Sequence, residues 1–154
     1  MLPHTHLKTT SMEDALSATS AVLRSVEGGD ARAFLLSAFI DDEALVLGRF
    51  QRAEDTLFDA STRHLVRRTG GPAWRASTGA LYVALVLSSR DAITPTPPGK
   101  VLNRNLRGLI PMGRALGARF VYGGRELLSV GGHAVGLVSH GKTLGGAVLV
   151  ECLI

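Results

Sequence analysis

Arg67-Arg68-Thr69-Gly70-Gly71 sets two cations directly against a turn that carries no side chains. Adjacent guanidiniums are rigid forks that match the oxygens of phosphate and carboxylate. The two glycines tolerate positive φ and let the backbone approach a ligand closely. A cation, exposed amides and an unobstructed turn are what an acyl phosphate or a nucleotide needs from a protein. The same five residues also describe a basic strand end and hairpin turn, so the flanking segments decide between the two. Pro72, Ala73 and Trp74 follow; Trp74 reads as a core or cleft-wall aromatic, and an acyl chain fits an apolar wall. Upstream, Arg49 and Gln51 close the segment Val46-Leu47-Gly48-Arg49-Phe50-Gln51, either as surface residues at a strand end or as part of a pocket with Phe50. Downstream stand Gly132, His133 and Lys142.

The elements that must position these residues follow from periodicity. Met1 to Thr10 reads as a disordered leader. Ser11 is an N-cap, with Glu13 and Asp14 in the first turn, where the helix dipole favours acids. Met12, Ala15, Leu16, Ala18, Val22, Leu23 and Val26 recur at helical spacing, and Gly28-Gly29 ends the helix. Ala33 to Ile40 and Ala44 to Leu47 read as a hairpin around Asp41-Asp42-Glu43. Residues 52 to 62 read as a helix carrying Leu57 and Phe58 inward. Leu65-Val66 opens a strand into the Gly-Gly turn, and Leu81 to Leu87 is a continuous apolar strand. Residues 94 to 99 read as a loop or the boundary of one. Val101 to Leu116 reads as a helix despite Gly108, Pro111 and Gly113. Strands are expected at Arg119 to Val121 and Leu127 to Val130, around Gly123-Gly124. A further pair, Ala134 to Val138 and Ala147 to Leu153, flanks a turn at Gly141 to Gly146. The sum is an α+β fold, a mostly antiparallel β-sheet with packed helices.

Composition narrows the function. The chain has 154 residues, 45% hydrophobic and 19% charged, which fits one well-buried domain over residues 11–154. Seventeen basic against 13 acidic residues leave a net charge of +4, suited to an anionic ligand or an acidic protein. Aromatic content of 5% and the lack of a dense Lys/Arg run argue against nucleic acid. No stretch is long and apolar enough for a membrane span. The N-terminus lacks the pattern of a secretory signal, and Cys152 is the single cysteine, so a cytoplasmic location is expected. Cys152 lies in an apolar strand and reads as a buried thiol rather than a nucleophile. His4, His6 and His64 have no evident metal partners, and His133 and His140 read as turn residues.

The order of these segments resembles the catalytic domain shared by lipoate–protein ligases, octanoyltransferases and biotin–protein ligases, and the lipoate ligase branch most. Val46 to Gln51 is similar to that family's hydrophobic, Gly-Arg, x, Gln segment. Val66 to Trp74 resembles its Arg-Arg, Gly-Gly, Ala signature. Val130-Gly131-Gly132-His133-Ala134-Val135-Gly136 resembles its later glycine–lysine segment, and Gly146 to Val150 the strand after it. The resemblance runs from about Met12 to the C-terminus. It implies the family's fold without its C-terminal portion. It also implies acyl transfer to a lysine of a lipoyl-type carrier domain, through an acyl-adenylate or through an acyl-carrier intermediate with an acyl carrier protein as partner. Lipoate or octanoate is then the substrate, with ATP and magnesium if the chain adenylates. The implied substrate- or adenylate-binding residues are Arg67, Arg68, Thr69, Gly70, Gly71, Ala73, Trp74, Arg49, Gln51, Gly132 and Lys142.

Three departures accompany the resemblance. The family's lysine position falls on His133, or on Ala134 if the gap is placed differently, which makes His133 the candidate catalytic residue; Lys142 is a nearby substitute. Trp74-Arg75-Ala76 stands where a histidine often follows the Gly-Gly turn. Pro72 removes one backbone N–H. These departures give an alternative: an inactive relative acting as a ligand-binding or protein-interaction module, or one half of a two-chain ligase.

Overall fold

The computed structural model of the chain describes residues 2–56, 63–90, 97–105, 108–115, 117–124 and 126–154. Ten strands and four helices are assigned in them: β1 His4–Thr10, α1 Met12–Gly28, β2 Ala33–Ile40, β3 Ala44–Leu47, α2 Ala53–Thr56, β4 His64–Val66, β5 Trp74–Ala76, β6 Leu81–Leu87, α3 Pro98–Asn105, α4 Leu109–Ala115, β7 Val121–Tyr122, β8 Leu127–Val130, β9 His133–Lys142 and β10 Val148–Leu153. Seven strands form one sheet in the order β1-β2-β6-β10-β9-β8-β7, and three form a second in the order β4-β3-β5. All pairings in the large sheet are antiparallel except β1–β2. The α+β architecture expected from the sequence is therefore present.

Alternation across the large sheet builds two cores. Leu36, Ala38 and Ile40 of β2, Tyr82, Ala84 and Val86 of β6, and Leu149 and Leu153 of β10 face one side. There they meet Met12, Ala15, Leu23 and Val26 of α1, together with Val46 and Ala76 of the small sheet. Val148, Val150 and Cys152 of β10 face the other side, with Val138 of β9 and with Val101 and Leu102 of α3. The period-two rule thus puts Glu151 on the α1 side and Cys152 on the α3 side.

Helix α1 forms as expected. The Ser11 hydroxyl accepts the Asp14 N–H at 3.1 Å, and Gly29 caps the C-terminus at φ 92°. Asp42 Oδ1 also accepts the Met12 N–H at 2.8 Å, tying the loop after β2 to the helix start.

Four expectations are corrected. Residues 4–10 are a strand rather than a disordered leader: the edge of β2 needs backbone partners, and β1 supplies them in parallel while its side chains stay mostly exposed. Strands β2 and β3 are not a hairpin. Both edges of β2 are taken, by β1 and β6, so β3 pairs with β4 and β5 in the small sheet. The long helix expected over 101–116 is two helices, α3 and α4, separated around Gly108. Strand β7 covers Val121–Tyr122 rather than 119–121. The helix expected over 52–62 is described only as α2; Leu57 and Phe58 lie outside the described residues. Among the described residues no helix is long and apolar enough to cross a membrane.

Leu36 is 2% exposed at the centre of the α1-side core. Leu36→Ala is expected to cost about 2–5 kcal/mol in urea unfolding, through lost transfer energy and the cavity left behind.

Candidate functional site

Residues 67–73 join the two outer strands of the small sheet, β4 and β5. The loop is laced to the end of β3 by the Arg67 N–H to Leu47 O at 3.0 Å and the Arg49 N–H to Thr69 O at 2.8 Å. Arg67 turns inward and is only 4% exposed. Its Nε donates to Gly70 O at 3.1 Å, Nη1 to Val46 O at 3.2 Å, and Nη2 to Gly70 O at 2.5 Å and Pro72 O at 2.8 Å. The guanidinium thus shapes its own loop from below, and most of its donors are already engaged. Burial lowers its pKa from the ordinary arginine value, and the charges of Glu151 and Glu126 oppose that shift.

Two glycines are needed for this close packing. Gly71 sits at φ 90°, where a Cβ would lie 2.7 Å from the Glu126 carboxylate. A Cβ on Gly48 would lie 2.1 Å from Gly71 O. Gln51 closes the same turn: its Oε1 accepts the Gly48 N–H at 2.8 Å, and its own N–H donates to Gly48 O at 2.9 Å. Gln51 therefore holds the turn that presents Arg49.

Arg68 is exposed, with Nε donating to Ser20 Oγ of α1 at 3.3 Å. Arg68, Arg49 and Ser20 are shared by two adjoining clefts. The first, of about 380 Å³, runs between α1 and the end of β4, past Leu16, Leu65 and Val66. The second, of about 360 Å³, runs between α1 and the β9–β10 turn. Arg24 and Lys142 join Arg49 and Arg68 in its wall, with Glu27 the one carboxylate among its described lining residues. The end of β9 is close to the loop because residue 141 has no side chain: a Cβ there would be 3.2 Å from Arg68 O. A third cavity, of about 430 Å³, lies on the α3 side among Leu35, Val83, Leu85 and Val150, with no Lys or Arg among the described residues of its lining.

The geometry sorts the sequence-derived candidates. Arg68, Arg49 and Lys142 come together. Gly70 and Gly71 shape the loop beside them. Gly132 and His133 do not join them: Gly132 lies in the β8–β9 turn and His133 opens the ten-residue β9 at its opposite end, about 30 Å along the strand from Lys142. Phe50 is 83% exposed and lies beneath Arg49, whose guanidinium carbon is 5.7 Å from the ring centroid, rather than walling a pocket with Arg49 and Gln51. Trp74 is half-buried against the α1-side core, and Ala73 is half-buried beside it; neither lines the two clefts. His140 is part of β9 rather than a turn. Burial pushes the Cys152 thiol up to about 12, which suits an inert group. His4 Nε2 and His6 Nδ1 both lie near Ser37 Oγ, at 2.9 and 3.0 Å. Among the described residues no group of three or more His, Cys, Asp or Glu comes together to hold a metal.

A polar network absent from the sequence reading lies directly beneath the loop. Glu151 is 3% exposed. Its Oε2 accepts the Thr69 hydroxyl at 2.5 Å and its Oε1 the Tyr82 hydroxyl at 2.6 Å. Because both hydroxyls donate to the carboxylate, the outer hydroxyls must donate to them: Ser139 Oγ to Thr69 Oγ1 at 2.6 Å, and Thr19 Oγ1 to Tyr82 at 3.0 Å. Burial pushes the tyrosine pKa well above its ordinary value and Glu151 adds to this, so Tyr82 remains a donor. The signal available in the sequence was a lone carboxylate within Val148 to Ile154, since a buried charge needs partners.

Burial raises the Glu151 pKa, while the Thr69 and Tyr82 hydrogen bonds and the Arg67 charge pull it back. A carboxyl whose folded pKa is raised binds its proton more readily in the folded state. Its contribution to stability is therefore least favourable above the folded pKa and improves as pH falls toward the ordinary carboxylate value. Urea unfolding across this interval is expected to show wild type gaining stability relative to Glu151→Gln as pH falls; a pH-independent difference would contradict this. Gly48→Ala is expected to unfold at least 1 kcal/mol more easily, roughly the scale of overpacking, because the added methyl meets backbone rather than a movable side chain.

No protein-family model matches the chain, and no curated protein sequence matches it. Solved structures do. Protein Ta0514 of Thermoplasma acidophilum with bound lipoic acid superposes with a TM-score of 0.79 at 19% identity, over 99% of this chain and 67% of that one. The bi-partite lipoate protein ligase of the same organism, described with its E2 lipoyl domain, gives 0.77 at 21%, over 100% and 61%. Lipoate-protein ligase A bound with ATP gives 0.77 at 19%, over 99% and 66%. The chain thus has the fold of the lipoate–protein ligase catalytic domain and spans about two thirds of the length of these proteins.

Proposed function

We propose that the chain is a lipoate–protein ligase-like domain whose cationic cleft holds the anionic part of an acyl-adenylate. The observation that carries this reading is the convergence of Arg49, Arg68 and Lys142 around the 67–71 loop. Arg68 and Lys142 neutralise phosphate or carboxylate charge, and the amides of Gly70 and Gly71 complete the anion cradle. Lys142 supplies the cation that the resemblance puts at residue 133 or 134. Arg67, Gln51 and Thr69 act by holding the cradle in shape, while the apolar stretch of Leu16, Leu65 and Val66 in the first cleft takes the acyl chain.

The reaction this reading implies has two steps. A lipoate or octanoate carboxylate oxygen attacks the α-phosphorus of ATP and pyrophosphate leaves. The amine of a carrier-domain lysine then attacks the acyl carbonyl, AMP leaves, and the amine loses its proton. Fixed cations serve both steps by stabilising charge on the phosphate. The described residues build no cage of their own for magnesium. An acyl carrier protein is the alternative acyl donor, and a lipoyl-type domain is the acceptor. A second chain that completes the site, and a cytoplasmic location, belong to the same proposal.

One observation favours a second reading, an inactive ligand- or carrier-binding relative. His133 and Ala134 are exposed and remote from the loop, so no cation occupies the position the resemblance assigns to a lysine.

Calorimetry with lipoyl-, octanoyl- and biotinyl-adenylate analogues tests the proposal. Wild type is expected to bind the lipoyl or octanoyl analogue. Arg68→Ala and Lys142→Ala should each weaken binding about tenfold or more, the scale of one charge-assisted contact, and His133→Ala should leave it unchanged. A folded wild type that binds none of the three would contradict the proposal. Binding without transfer to a lipoyl domain would favour the second reading.

A further inference from the structure

The two cation-bearing segments of the cleft meet at one buried residue. Thr69 is fully buried, between the inward Arg67 and the exposed Arg68. Its carbonyl accepts the Arg49 N–H at 2.8 Å. Its hydroxyl goes down to the Glu151 carboxylate at 2.5 Å. Glu151 is itself fixed on the rigid central strand β10, which is paired on both sides, with β6 and with β9. The Tyr82 hydroxyl holds its other oxygen at 2.6 Å.

This makes the carboxylate more than a tolerated polar group. A residue buried at the centre of a sheet has a fixed position, and Thr69 is tied to that position through its hydroxyl. The Thr69 backbone is thereby oriented with Arg67 inward and Arg68 outward, and its carbonyl is aimed at the Arg49 amide. Neither Arg68 nor Arg49 touches Glu151, yet the placement of both depends on it.

We infer that Glu151 and Thr69 are the positioning pair of the anion cradle, coupling Arg68 and Arg49 so that both cations are presented together. The inference rests on reading the cleft as an acyl-adenylate site, and it adds residues that the resemblance did not bring to that site (Glu151) or assigned to the ligand directly (Thr69).

The test is residue-resolved amide hydrogen exchange on the full chain, paired with affinity for a lipoyl-adenylate analogue. Thr69→Val removes the hydroxyl and keeps the shape; Thr69→Ser keeps the hydroxyl; Glu151→Gln removes the charge and keeps the volume. In Thr69→Val the Arg49 and Thr69 amides should exchange about tenfold faster while β2 and β6 amides stay protected, and analogue affinity should fall about tenfold. Thr69→Ser should restore both readouts, which a general loss of stability would not allow. If Thr69→Val does not fold, Glu151→Gln carries the same expectation. Unchanged exchange at Arg49 and Thr69 in Thr69→Val or Glu151→Gln would overturn the inference, even with analogue binding intact. A wild type that binds no analogue, but whose Arg49 and Thr69 amides loosen in Thr69→Val, would uphold the positioning pair and overturn the adenylate reading.

Discussion

A carboxylate in the middle of an apolar strand constrains everything around it. Glu151 belongs to β10, whose six residues are all buried, and an unpaired charge there would be costly enough to unfold a domain of ordinary stability. The surroundings answer that cost with donors drawn from separate parts of the chain: Tyr82 from the neighbouring strand and Thr69 from the loop after β4, backed by Thr19 of α1 and Ser139 of β9. The buried Arg67 adds a balancing charge. Each partner fixes an element. The loop cannot lift from the sheet without stranding the carboxylate, and α1 cannot slide without losing the Thr19 contact.

The exposed chemistry is built on this buried base. Arg67 and Arg68 are adjacent and chemically identical, yet they do different work because alternate residues of the loop point in opposite directions. One binds the carbonyls that shape the loop, and the other faces the clefts with Arg49 and Lys142. Gly48, Gly71 and Gly141 bring three chain segments within a few ångströms, and at Gly48 a side chain would collide with the Gly71 backbone. The similar solved structures carry the same scaffold at about one-fifth sequence identity. That persistence is understandable if the fold depends on patterning and close backbone packing more than on particular core side chains.

Much of the fold was legible because its signals are local. The N-cap and acidic first turn of α1, the apolar run of β6 and the β9–β10 pair all follow from spacing and composition. The Arg-Arg-Gly-Gly segment was legible as a tight loop between two strands for the same reason. What escaped was set by pairing at a distance. Strand β1 exposes most of its side chains, so no apolar alternation marked it; its backbone partner alone makes it a strand. Whether β2 and β3 form a hairpin depends on β6 and β1 occupying the edges of β2, and no feature of residues 33–47 encodes that. At the site, the sequence grouped His133 with the loop by resemblance and left Lys142 as a substitute. The direction of β9 reverses their weight, since only its C-terminal end reaches the loop. Glu151 was visible as an odd residue in an apolar strand, but its partners are separated from it by 69 and 82 positions.

The most direct measurement is a crystal structure of the chain with a lipoyl-adenylate analogue bound. Phosphate oxygens are expected in contact with Arg68 and with Arg49 or Lys142, over a 67–71 loop still anchored to Glu151, and the acyl chain along Leu16, Leu65 and Val66. An analogue seated in the apolar cavity on the α3 side, or one held at His133 with Arg68 uninvolved, would contradict this placement.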